Sequence, residues 1–272
     1  MNKKVPWIFN ILFITGVILL LTNTYGQFTS LRNPTLQDDI NRIKKNDITI
    51  SEDQIYASIN SEITDKRSYV NKITETIHNG MADYWKDEGI KKFNLQVPFQ
   101  ENYILFLGSY LIPDKFLKYE FLDYKRGIER GVGLCSQHAI VLAEVLLEKG
   151  IKTKMLGLSG HVVTIAQVDE KNNEWWVLDP DYGVVIPENI KLIEVNPEII
   201  TPYYSAKGFD AKTILALKGI YGIEGNVIVN GYGVGDYSIK SNIFERISYI
   251  LIWIIPVLLI FPFLFYKTRK SK

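Results

Sequence analysis

Two long apolar runs stand near the ends of this chain, and the pattern between them is that of a soluble domain. The first run, Val5 to Leu21, follows Lys3 and Lys4 and reads as a signal peptide or a signal anchor. Thr24-Tyr25-Gly26 offers a cleavage site, so cleavage and retention stay equally open. The second run, Ile247 to Tyr266, is long enough to cross a hydrocarbon core of about 30 Å. Pro256 and Pro262 would kink this helix without preventing it from spanning. Lys267, Arg269, Lys270 and Lys272 follow, and the positive-inside rule places that end in the cytoplasm, with the domain between the runs outside it.

Inside the soluble stretch the apolar spacing changes from helical to alternating and back. Ile55, Ile59, Ile63, Val70, Ile73 and Ile77 fall near helical spacing after a start at Ser51-Glu52-Asp53. His78, near the end of that helix, reads as a solvated or capping residue. The segments 104–111 and 116–124 are expected to pack just before a glycine-bearing loop at 131–133. Ala139, Ile140, Leu142, Ala143, Val145, Leu146 and Leu147 then give a wide apolar helical face, closed by Gly150-Ile151 and suited to burial against a sheet. Strands are expected at 162–168 and 174–178, joined by the polar turn Asp169-Glu170-Lys171-Asn172-Asn173 as an antiparallel hairpin. Val184-Val185-Ile186 continues the sheet, 211–223 reads as a helix, and Gly231-Tyr232-Gly233-Val234-Gly235-Asp236-Tyr237 reads as a flexible linker. That glycine loop lacks the Lys-Ser/Thr and the strand-loop-helix setting of a phosphate cradle.

The chemistry concentrates on Cys135, the single cysteine of the chain. It stands where the glycine loop meets the helix, so its sulfur faces unpaired backbone N–H groups and the positive end of the helix dipole, which favour a thiolate. One cysteine makes no disulfide within the chain, and its place at a helix start favours reactivity over inert burial. His161 would begin one strand of the hairpin and Asp179 would end its partner, which places imidazole and carboxylate side by side. Thiol, imidazole and carboxylate are the parts of a nucleophile, its base and the group that orients the base. Gln137 is a candidate hydrogen-bonding neighbour of the thiol and His138 a wall residue. A metal site on Cys135, His138 and His161 is disfavoured, because neither a second cysteine nor a dense histidine cluster accompanies them.

The blocks Gly133-Leu134-Cys135-Ser136, Gly160-His161-Val162 and Trp176-Val177-Leu178-Asp179-Pro180 resemble the transglutaminase-like cysteine enzymes of the papain-like superfamily, over residues 95 to 187. The resemblance implies an α+β fold with helices packed on an antiparallel sheet. It implies Cys135 as nucleophile, His161 as general base and acid, and Asp179 as the orienting residue, with neither cofactor nor metal. It also covers crosslinking acyltransferases, peptidases, amidases and inactive members. In papain-like enzymes an upstream side chain often helps to stabilise the oxyanion; here no glutamine stands at the usual short distance before Cys135, which leaves that partner open.

Length and charge bound the rest. The 272 residues allow one medium domain with extra segments, and a net charge of +1 gives no reason to expect nucleic acid. The expected organisation is a signal or anchor at 1–26, a helical region at 27–95 and a catalytic core at 96–190. An extension and linker follow at 191–245, then a transmembrane helix at 246–266 and a basic cytoplasmic tail at 267–272. Two functions from different classes fit this frame. One is a membrane-anchored cysteine hydrolase or acyltransferase acting on amide bonds of a protein, peptide or cell-envelope substrate. The other is a non-catalytic interaction module for envelope or surface-polysaccharide assembly.

Overall fold

The computed structural model describes residues 6–38, 48–222 and 226–270; Lys3, Lys4, Val5, Ile223 and Lys272 of the readings above lie outside them. In chain order, the α-helices of six or more residues are α1 (Trp7–Gly26), α2 (Glu52–Ile59), α3 (Lys66–Gly80), α4 (Tyr103–Leu111), α5 (Tyr124–Arg130), α6 (Cys135–Glu148), α7 (Ile190–Val195), α8 (Thr201–Ala206), α9 (Ala211–Tyr221) and α10 (Ile239–Lys270). The strands among the described residues are β1 (Ala82–Asp83), β2 (Val132–Gly133), β3 (Thr153–Leu158), β4 (His161–Asp169), β5 (Glu174–Asp179), β6 (Val184–Ile186) and β7 (Val227–Ile228). The chain divides into two compact units. One combines Arg32–Leu95 with Glu120–Ile239, and the other gathers Gln96–Tyr119 with the two terminal segments.

The larger unit is mixed helix and sheet around an antiparallel sheet of order β6-β5-β4-β3-β7. Alternation along the strands assigns each side chain to a face. Ala166, Val168, Trp176 and Leu178 pack with α2, α3, α5 and α6 through Ile55, Ile73, Ile77, Ile128, Val141, Leu142 and Val145. Val163, Ile165 and Val177 face the other way, onto Ile193, Tyr204, Ile214, Leu217 and Tyr221. Thr164 fits among the apolar residues of the first face because its hydroxyl donates to the Ala139 carbonyl at 3.0 Å.

The expected helix from Ser51 is two helices. Ser51 caps α2 in a reciprocal capping box with Gln54, and Asp65 caps a fresh start at α3 by accepting from the Ser68 N–H. The 231–237 segment is docked rather than free. Gly233 N–H donates to the Thr153 carbonyl at 2.9 Å, Val234 N–H donates to Glu144 at 2.7 Å, and Val234 is buried beside Ala139 and Met155.

In the smaller unit α1 and α10 run antiparallel. Phe9 meets Tyr266 (ring centroids 5.8 Å apart), Phe13 meets Phe263 (4.5 Å), and the Asn23 amide donates to the Ile252 carbonyl. Gly16 allows close approach, because a Cβ there would lie 2.7 Å from the Pro256 carbonyl oxygen and 2.8 Å from Ile260. Both helices are long and apolar enough to cross a membrane. The segment from Gln96 to Tyr119, expected beside the cysteine loop, packs in this unit through Asn102, Tyr103 and Tyr119.

Candidate active site

Three local features set the site. Gly131, at φ +69°, ends α5 in a left-handed turn, and the Arg32 guanidinium occupies the space a Cβ would need. The chain then runs through β2 into α6, whose first residue is Cys135. No side chain caps this helix start, so its free N–H groups remain available on the sulfur's side. Second, Leu158 pairs with His161 across a two-residue turn in which Gly160 takes φ +84°, so β4 starts at the histidine. Third, Thr164 pairs with Leu178, which puts Asp179 opposite Val163 and on the same sheet face as His161, as a diagonal neighbour.

The result is a direct hydrogen bond. His161 Nε2–H donates to Asp179 Oδ2 at 2.9 Å, which leaves Nδ1 for the thiol. A ligand atom each from Cys135, His161 and Asp181 lies within 4.8 Å of the others. Burial is graded: Asp179 is fully buried, His161 is 7% exposed and Cys135 is half-buried, so the sulfur is the most accessible of the three. Burial alone would favour a neutral ring. The Asp179 charge and hydrogen bond, with the thiol, outweigh it and hold the imidazole at about 10.

Asp179 is itself held by groups that carry no sequence signal. Tyr204 donates its hydroxyl to Asp179 Oδ2 at 2.7 Å, Tyr221 lies 3.1 Å behind Tyr204, and Tyr182 N–H donates to Asp179 Oδ1 at 3.3 Å. The rings of Tyr182 and His161 meet edge to face at 5.6 Å. Burial, reinforced by the Asp179 charge, keeps the Tyr204 hydroxyl far above its ordinary range, so it remains a donor. His78, expected to be solvated or capping, is half-buried. Its ring packs on Gly183, its Nδ1–H donates to the Asp181 carbonyl at 3.1 Å, and burial lowers its basicity.

The neighbours of Cys135 on its own helix have other tasks. Gln137, expected beside the thiol, instead accepts from Phe121 N–H (2.8 Å) and Arg130 (2.9 Å) and donates to the Phe121 carbonyl (2.8 Å). It thereby pins the chain at Phe121 to α6, while the fully buried Arg130 lies 4.8 Å over the Phe121 ring. His138 is a buried wall residue whose Nδ1–H donates to the Leu134 carbonyl at 2.9 Å, and its Nε2 has no hydrogen-bond partner among the described residues. Ser136 donates to Glu120, whose carboxyl is pushed up by burial. Tyr237 reaches the same serine, is within electrostatic range of Cys135, and is pushed up to about 12 mainly by burial.

Comparison with protein-family models, with curated proteins and with solved structures gives no match. The reading of the site therefore rests on its geometry. A carboxylate on the far nitrogen of an imidazole beside a thiol serves two chemistries, since it orients a general base and also a metal-ligating histidine. The donor set near Cys135 uses Asp181 rather than His138, and three ligands is the number of an open zinc site. The sulfur at the start of α6 is the feature that belongs to nucleophilic chemistry in particular.

Proposed function

We propose that this chain is a membrane-anchored, transglutaminase-like cysteine enzyme of papain-like type that cleaves or transfers acyl groups from amides. The observation that carries the proposal is the Asp179–His161 hydrogen bond at the end of a hairpin that meets the half-buried thiol at the start of α6. The antiparallel sheet with α6 packed on one face supports the papain-like assignment.

Cys135 attacks the amide carbonyl carbon, and its proton passes to His161 Nδ1. A ring held at about 10 retains the proton it takes from the thiol. The tetrahedral oxyanion is met by the free N–H groups at the start of α6 and by the Tyr237 hydroxyl. Collapse breaks the C–N bond, and His161 returns the proton to the leaving amine, which gives a thioester on Cys135. Water, deprotonated by His161, then attacks the thioester, the C–S bond breaks and the thiol is regenerated; an amine in place of water gives transamidation. Hydrolysis is the favoured outcome, because water is always present.

The membrane part of the proposal rests on α1 and α10. Their antiparallel packing supports retention of α1 past Gly26, both ends on one side, and the basic residues after Tyr266 support that side being cytoplasmic. The domain between them then works on an extracytoplasmic protein, peptide or envelope substrate.

The test is iodoacetamide alkylation of Cys135 in the full chain, followed from mildly acidic to mildly alkaline pH in wild type and in His161→Ala. Fast alkylation at acidic pH that disappears in the variant supports a thiolate–imidazolium pair. Identical, slow profiles refute it and leave the non-catalytic interaction module as the reading to pursue.

A further inference from the structure

The helix α4 presents its apolar residues in two opposite directions. Leu105 and Ser109 are buried on one side, and Tyr103 is buried at the helix start, whereas Leu107 is 50%, Tyr110 65%, Leu111 81% and Ile112 50% exposed. Leu107, Tyr110 and Leu111 stand at i, i+3 and i+4, so they form one face of the helix. A contiguous exposed face of large apolar side chains marks a surface that meets something other than water.

Its contacts place this helix at a particular level of α10. Phe116 packs on Phe244 (5.5 Å), Tyr119 donates to Glu245 (2.8 Å), and Asn102 donates to Ser248 (2.9 Å). Tyr249 donates to Glu101 (2.7 Å), and Tyr103 reaches the Ile252 carbonyl (3.4 Å). From Phe244 to Ile252 is about 12 Å along a helix axis. Within that stretch α10 passes from Glu245 and Arg246 to the apolar run that begins at Ile247. The helix α4 is thus bonded across the boundary between the polar and apolar parts of a spanning helix, which is the depth of the headgroup region. Phe99, Tyr103, Phe106 and Tyr110 form a chain of rings 5.3 to 5.9 Å apart at this level, as aromatic belts do. Tyr25 and Phe28, at the end of α1, are also exposed.

We propose that α4 lies in the membrane interface, with Leu107, Tyr110, Leu111 and Ile112 inserted into the leaflet that holds the start of the apolar run of α10. The partner of this face is lipid acyl chain, and the element is interfacial rather than spanning, since nine residues cover about 14 Å. The inference rests on the reading of α1 and α10 as membrane helices.

Cys135 is the only cysteine, so Cys135→Ser makes a thiol-free background for spin labels. Labels are placed by Leu107→Cys, Leu111→Cys, Leu258→Cys on the exposed side of α10 and Lys171→Cys in the exposed β4–β5 turn. Each full-length variant is reconstituted into phosphatidylcholine–phosphatidylglycerol vesicles, and collision rates with molecular oxygen and with a neutral nickel chelate are measured. The oxygen-to-nickel ratio at positions 107 and 111 is expected to stand several-fold above that at 171 and toward that at 258. A ratio at both positions equal to that at 171, with 258 in lipid, overturns the proposal and leaves the membrane reading of α10 intact. A water-like ratio at 258 overturns both. Dipolar broadening at 107 and 111 that vanishes on dilution with unlabelled protein also overturns it, because the face is then covered by a second copy.

Discussion

Replacing Asp179 with asparagine separates the electrostatic task of this residue from its shape. Asparagine keeps the volume and, through its carbonyl oxygen, can accept from both His161 Nε2–H and Tyr204, the two donors now on Asp179 Oδ2. Its NH2 group then faces the Tyr182 N–H that Asp179 Oδ1 now accepts. That one mismatch of donors costs about 1–3 kcal/mol at every pH. The charge effect is larger and depends on pH. The imidazole stands at about 10 against an ordinary 6.5, and at about 1.4 kcal/mol per pKa unit this amounts to preferential stabilisation of the imidazolium on the order of 5 kcal/mol. Because the folded value is raised, the stabilisation is complete below pH 6.5 and is lost as pH rises through about 10. In Asp179→Asn the burial that favours the neutral ring is opposed only by the thiol, so the value falls into or below the ordinary range. The chain has three histidines, which makes nitrogen-15 NMR titration of histidine-labelled, full-length protein in detergent a direct assay, with His161→Gln assigning the signal. Asp179→Asn should abolish the protonated signal of His161 at pH 8. The reasoning is refuted if wild-type His161 titrates near 6.5, or if the substitution leaves its titration unmoved.

Tyr204→Phe removes a buried hydroxyl that donates to a fully buried carboxylate; urea unfolding should show a loss of about 1–3 kcal/mol, and an unchanged midpoint would mean that Tyr204 does not hold Asp179. Dialysis against EDTA is expected to leave the alkylation profile of Cys135 unchanged. A rise in rate would mean that a metal on Cys135, His161 and Asp181 had covered the thiol.

The parts of this molecule governed by short-range pattern were legible in the sequence. The β4–β5 hairpin could be written from alternation and a polar turn, and it alone predicts that His161 and Asp179 meet across 18 residues of chain. The apolar face of α6 and its start at Cys135 followed from helical spacing after glycine. What escaped depends on contacts between distant segments. Tyr204 reaches Asp179 from 25 residues away with no motif around it, and Tyr237 arrives from a glycine-rich loop whose composition reads as linker. The break between α2 and α3 was hidden because Ile63 keeps an apolar residue in the gap and packs on the same core. The segment 96–119 was expected beside the cysteine loop for a related reason: apolar spacing does not name the partner, and its contacts with Glu245, Ser248 and Ile252 arise only in three dimensions.

The bond from Asn23 to the Ile252 carbonyl spans 229 residues, and it imposes an order on biosynthesis. At roughly 5–20 residues per second, the ribosome needs about 10–50 s to deliver the second partner after the first. During that interval α1 exists without the helix that Gly16 fits. A ribosome that stalls in between leaves Asn23 in need of a substitute partner.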